Sequence, residues 1–155
     1  MDIFTQILLA IIAFAGIICG IFLVYCNKDE IKHAKRYLLF SQKVLIAASI
    51  LLTAYFLQPC CGSILIAVFI AVFLFIARKR FQTYIFYPVL GLLTYISIKV
   101  PEAFLVNIAI VFLYGLPTGT LIMFEKKYNK KKVLIEIAKN LGFFMCIILI
   151  LFPVF

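Results

Sequence analysis

Apolar residues in this chain run in long blocks separated by short polar punctuation. Six blocks approach the about 20 residues that a helix needs to cross a hydrocarbon core of about 30 Å. The pattern predicts helices over about Ile3–Tyr25, Tyr37–Gln58, Gly62–Ala77, Tyr84–Ile98, Glu102–Phe124 and Val133–Phe155, numbered here as spans one to six. Spans three and four are short in their strictly apolar parts. Asn27-Lys28-Asp29-Glu30 closes the first span. Gln58-Pro59 closes the second, because proline disfavours helix at the residue before it. Arg78-Lys79-Arg80 separates the third from the fourth. Pro101-Glu102 opens the fifth, with proline in the first turn and an acid at the positive end of the helix dipole. Residues Glu125 to Lys132 divide the fifth from the sixth. Connections this short make successive helices antiparallel. No linker or second domain interrupts them, so residues 1–155 read as a single integral membrane domain.

Composition sets the solvent. The chain has 155 residues, 66% of them hydrophobic and 14% charged, with a mean hydropathy of +1.20. Soluble domains are about 45–50% apolar. So few charges cannot coat a water-facing surface of this size, and lipid must cover most of the exterior. The expected fold is an all-α, multi-pass bundle of six transmembrane helices in the cell membrane. With no Trp and 8 Tyr, tyrosine carries the interfacial anchoring. The block beginning at Ile3 has neither a basic leader nor a small-residue cleavage site, and it exceeds the about 7–15 apolar residues of a signal peptide. It reads as a retained helix.

Charge sets the orientation. The net charge is +9, from 15 Lys and Arg against 6 Asp and Glu. Lys28, Lys32, Lys35, Arg36 and Lys43 lie in or beside the first connection. Arg78, Lys79 and Arg80 form the third, and Lys126, Lys127, Lys130, Lys131 and Lys132 the fifth, with Lys139 just beyond. The second connection, Gln58 to Ser63, is uncharged, and Lys99 is the one base on that side. Every alternate connection is therefore basic, as six spans require. The positive-inside rule places these connections in the cytoplasm and both termini outside it. Arg78, Lys79, Arg80, Lys126 and Lys127 are expected at anionic inner-leaflet headgroups. Loops this short build no folded basic surface for nucleic acid. His33 reads as a solvated loop residue.

Candidate chemistry is sparse. Asp2 and Glu102 sit at the outer boundary and Glu125 and Glu136 at the inner one, leaving the middle of every span without an acid. That argues against a proton relay and against a paired-aspartate protease. A single His excludes bis-His haem and H-E-x-x-H zinc sites, and neither G-x-S-x-G nor a P-loop occurs. No catalytic residue and no cofactor is expected, and the chain does not read as an enzyme. The polar residues of three spans do share faces. Asn107, Val111, Tyr114 and Thr118 follow helical spacing in span five, as do Tyr84, Tyr87, Gly91 and Tyr95 in span four and Gln42, Ile46, Ser49 and Thr53 in span two. The plain expectation is hydrogen bonding between helices. The sharper one is a polar seam in which Asn107, Tyr114, Thr118, Tyr87, Tyr95, Ser49 and Thr53 line a ligand site or pore. Pro117, flanked by Gly115 and Gly119, predicts a kink or short unwound turn. Broken helices mark substrate sites in transporters, which adds these three residues to the candidates. Gly16 and Gly20 form another G-x-x-x-G, suited to close helix contact or dimerisation.

Of five cysteines, Cys19 and Cys146 read as buried within spans and Cys26 as lying at the inner face. The adjacent Cys60 and Cys61, in an outer connection, are candidates for redox chemistry or soft-metal binding. Two classes of function follow, a non-catalytic membrane subunit or scaffold and a small-solute or ion transporter or channel using the seam, with thiol chemistry at Cys60–Cys61 a third. The first is favoured, because no span holds a charge suited to coupling. The expected partners are the bilayer and its anionic lipids, together with another membrane protein or a second copy of the chain.

Overall fold

The computed structural model describes residues 2–26, 31–57, 68, 83–125 and 130–140. Among the described residues there are helices and no strand: α1 (Ile3–Cys26), α2 (Ile31–Leu57), α3 (Thr83–Ile96), a 3-10 turn (Ser97–Lys99), α4 (Pro101–Glu125) and α5 (Lys130–Lys139). Three of them, α1, α2 and α4, are long and apolar enough to cross a membrane. The 24 residues of α1 reach roughly 36 Å at about 1.5 Å per residue. A shorter apolar helix, Phe86–Lys99, follows from α3 and its 3-10 turn. The third expected span lies outside the described residues except for Val68, which is helical and exposed.

Two boundaries differ from the expectation. α2 starts at Ile31, so Lys32, His33, Lys35 and Arg36 belong to its first turns and not to a loop. Lys, Ala and Arg are strong helix formers, and the Lys35 ammonium lies 6.0 Å from the Phe124 ring centroid, where cation–π attraction holds this extension against the end of α4. α5 starts inside the basic run and ends at Lys139. Asn140 closes it by turning back on the helix, its N–H donating to Ile137 O (2.9 Å) and its Nδ2 to Glu136 O (2.9 Å). Residues 141–155 of the sixth expected span lie outside the described residues.

α4 is the central helix. Of its span 67% is buried, against 39% for α1 and 28% for α2. α1 lies along one side of α4, while α2 and α3 cover the other and α5 touches its end. The main core joins Ala10, Ala13, Phe14 and Ile17 of α1 to Ile46 and Ile50 of α2, Tyr87 and Leu90 of α3, and Phe104, Ile108, Val111 and Tyr114 of α4. A second cluster of Val24, Ile122, Met123 and Val133 closes the end at which α5 sits.

α1 turns its small residues inward and many of its large ones outward, Phe14 and Ile17 excepted. Ala10, Ala13, Gly16 and Gly20 are buried, whereas Phe4, Leu8, Ile11, Ile12, Ile18 and Phe22 are exposed. In lipid nothing drives large apolar side chains inward, so close backbone approach decides which face a helix buries. Here the approach is reciprocal. A Cβ on Gly16 would overlap the Phe112 carbonyl oxygen, and one on Gly20 that of Leu116. A Cβ on Gly115 would meet the Gly16 backbone, and one on Gly119 the Ile17 carbonyl oxygen. Two G-x-x-x-G motifs thus clasp each other, and a four-residue step on α1 matches one in the same direction on α4. The two helices are parallel. Thr120 Oγ1 lies against the clasp from the side, its one hydrogen facing both Leu116 O at 2.8 Å and Gly20 O at 3.1 Å. The Gly16–Gly20 face is consequently occupied within the chain and is not open for dimerisation.

Candidate functional site

The polar residues of α2, α3 and α4 meet where these helices pack. Helix periodicity carries Gln42, Ser49 and Thr53 to one side of α2 and Asn107, Tyr114 and Thr118 to one side of α4. All six are buried. Their order is reversed between the helices: Gln42 bonds to Thr118, while Ser49 and Thr53 bond to Asn107. α2 and α4 are therefore antiparallel. α3 is likewise antiparallel to α4, since Tyr87 packs on Tyr114 and Ser97, just beyond the end of α3, reaches Asn107.

Asn107 is the hub of one half of this seam. Its Oδ1 accepts from Ser49 Oγ at 2.8 Å, and its Nδ2 donates to Thr53 Oγ1 at 2.8 Å and to Ser97 Oγ at 2.7 Å. Both amide hydrogens are used. Thr53 and Ser97 pass their own hydrogens to backbone carbonyls, Ser49 O at 2.7 Å and Leu93 O at 2.6 Å. One carboxamide thus joins three elements and every hydroxyl around it is engaged, the condition under which a buried polar network strengthens a fold.

The other half lies nearer the middle of α4. Gln42 Nε2 donates to Thr118 Oγ1 at 2.7 Å, and Thr118 Oγ1 donates to Tyr114 O at 2.8 Å. Beside them three aromatic rings stack edge to face across three helices. Phe14 of α1 is 6.0 Å from Tyr87 of α3, and Tyr87 is 5.2 Å from Tyr114 of α4. Tyr87 and Tyr114 are both 0% exposed.

Of the sequence candidates, Asn107, Tyr114, Thr118, Tyr87, Ser49 and Thr53 come together at this seam. Tyr95 is partly buried against the core. Gly115 and Gly119 do not face the seam, contrary to the expectation, because they carry the close approach of α1 on the opposite side of α4. Pro117 is buried within a helix that runs unbroken from Pro101 to Glu125, so the expected unwound turn does not form. Proline removes one donor, yet the helix continues through it, with α1 packed against Gly115 and Gly119 on either side. Cys19 is exposed, not buried. It lies with Ile18, Phe22, Leu23 and Leu116 along an apolar groove of ≈ 400 Å³ on the outward side of α1. Cys26 is exposed at the end of α1. Cys60, Cys61, Arg78, Lys79, Arg80, Lys126 and Lys127 lie outside the described residues.

Ser97 is the participant that helical spacing missed. A tight turn at Val100–Pro101 folds α3 back on α4, so that Ser97, three residues before it, meets Asn107, six residues beyond it. The fold-back, rather than periodicity, is the signal that brings the two together. In comparisons with known protein families, curated proteins and solved structures, the chain matches none.

Proposed function

We propose that this chain is a six-span protein of the cell membrane, with both termini outside the cytoplasm, and that it serves as a non-catalytic subunit or scaffold. The observation that carries the role is the Asn107 hub, whose polar groups are spent on one another and not on a path through the bundle. A rigid core of this kind suits a part that presents helix surfaces to lipid and to neighbouring membrane proteins. The competing reading is a small-solute or ion transporter using the seam of α2, α3 and α4. Thiol chemistry at Cys60–Cys61 rests on the sequence alone.

The span count draws support from helix direction. α2 and α3 both run opposite to α4, so the end of α2 and the start of α3 lie at opposite ends of the bundle. We read the apolar run Gly62–Ala77, from its sequence alone, as the crossing that joins them. The packing of Lys35 on Phe124 sets the start of α2 beside the end of α4, which supports the basic-loop pattern.

Two measurements test these readings. In sealed vesicles, Lys79→Cys and Lys127→Cys react with an impermeant thiol reagent from the same side and Glu102→Cys from the other, each in a background freed of native cysteines. Labelling of Lys79→Cys and Lys127→Cys from opposite sides removes the six-span topology. For the role, purified protein in proteoliposomes leaves ion and small-solute leak at the level of protein-free vesicles. A saturable flux that a folded Thr118→Val variant loses would replace the scaffold with the transporter.

A further inference from the structure

The exposed side of α2 marks its own depth in the membrane. Tyr37 and Tyr55 are 77% and 59% exposed. Position 55 lies 18 residues beyond position 37. That is five full helical turns, so the two side chains leave α2 along one line, roughly 27 Å apart at about 1.5 Å per residue. A hydrocarbon core is about 30 Å thick, and tyrosine favours both of its boundaries. Arg36 then lies at headgroup level beside the first boundary. Lys43 lies six residues beyond Tyr37, which is roughly 9 Å inside the hydrocarbon. A cation is costly at that depth, and a long apolar stem answers by carrying the charge back to the boundary. The direction of α2 assists, because Cα–Cβ bonds tilt toward the helix N-terminus, and for Lys43 that is toward Arg36.

Seven residues of helix bring the two bases within about 20° of each other around α2 and roughly 10 Å apart along it. Leu39 and Phe40, between them, are 44% and 59% exposed, and Val44, next to Lys43, is 41% exposed. Gln42 meets Thr118 of α4, and Lys43 is turned about 100° away from that contact. We infer that this flank of α2 binds one anionic phospholipid, its phosphate between Arg36 and Lys43 and an acyl chain along Phe40 and Val44. The guanidinium fork matches phosphate oxygens. An ammonium has three donors, so a phosphate adds to the contacts Lys43 makes within the chain. Two cations favour a lipid of net negative charge over one whose own cation offsets its phosphate. The apolar residues between the bases select a lipid over a free anion, which does not enter hydrocarbon. The inference rests on the membrane placement proposed above and not on the scaffold role.

The chain has no Trp, so a single introduced tryptophan reports on the lipid beside it. Leu39→Trp places the reporter between Arg36 and Lys43. Phe22→Trp places one near the same end of the bundle on α1, across α4 from this flank. The full chain is reconstituted in phosphatidylcholine vesicles containing phosphatidylglycerol, with one lipid or the other brominated so that it quenches the tryptophan it touches. Brominated phosphatidylglycerol is expected to quench Leu39→Trp beyond its share of the bilayer, and to favour that reporter over Phe22→Trp. In the Leu39→Trp background, Lys43→Leu lowers the preference about fivefold, the weight of one base at an anionic surface. Lys43→Arg keeps it. Leucine suits helix and lipid alike, so the variant folds. Equal preference at the two reporters leaves only a general attraction of the basic end and overturns the site. A preference that Lys43→Leu leaves unchanged overturns it too. Both leaflets have one composition, so the result is independent of which way the chain inserts, and thiol labelling reads the orientation separately.

Discussion

Replacing Gly119 with valine separates α1 from α4 and costs at least about 3 kcal/mol, the upper part of the range for overpacking a tight interior. Even a Cβ at this position overlaps the Ile17 carbonyl oxygen, and the branched side chain adds two further carbons. The obstructing atoms are backbone, not the far ends of flexible side chains, so relief requires one helix to move bodily. Movement there opens the most extensive contact among the described helices and separates Thr120 from Gly20 O. Gly16→Val has the same effect from the other side, because the clasp is reciprocal. Ile12→Ala is the control. Its side chain is 49% exposed on the outward face of α1, and its removal changes stability by no more than about 0.5 kcal/mol. Unfolding of the purified chain in mixed micelles reads all three. A Gly119→Val variant as stable as the wild type would show that α1 and α4 are not in backbone contact.

The second large effect is at the hub. Asn107→Leu deletes three hydrogen bonds in one substitution and leaves the Ser49 hydroxyl without its acceptor. Bonds between membrane helices are worth about 0.6–2 kcal/mol each, so the expected loss is about 2–4 kcal/mol. Ser49→Ala costs about 1 kcal/mol alone. Combined with Asn107→Leu it adds little, because the bond is already gone. Additive losses in this double-mutant cycle would break the link between the two residues.

These residues also show how far the chain can be read without coordinates. Ser49, Thr53, Asn107, Tyr114 and Thr118 were legible as shared faces, since a polar side chain among apolar ones has to find a partner within hydrocarbon. Which partner was harder. Spacing along a helix records the face it can present, and not which helix it meets. Both G-x-x-x-G motifs could therefore be seen, yet their mutual engagement across spans one and five could not. Gly115 and Gly119 looked like parts of a broken-helix site because Pro117 lies between them. What the spacing does not contain is the second helix packed against both glycines. The start of α2 departs from the charge pattern for a related reason. Charge in Lys32 to Arg36 suggested a loop, whereas helix propensity and the contact between Lys35 and Phe124 favour another two turns. Ser97 escaped because its role depends on the fold-back at Pro101 and not on the period of any helix.

The clasp between α1 and α4 has a consequence for biogenesis. Its two halves, Gly16–Gly20 and Gly115–Gly119, stand far apart in the order of synthesis. With translation at about 5–20 residues per second, the later half emerges on the order of 5–20 s behind the earlier one. Throughout that interval the newly inserted first helix shows the membrane a bare glycine furrow, and the helix that fills it has not been made. Whatever shields or tolerates that furrow, whether insertion machinery or lipid alone, acts before the protein has its native neighbours. Completion of the clasp therefore waits on α4, and a nascent chain arrested before residue 115 would hold its first helix without that partner.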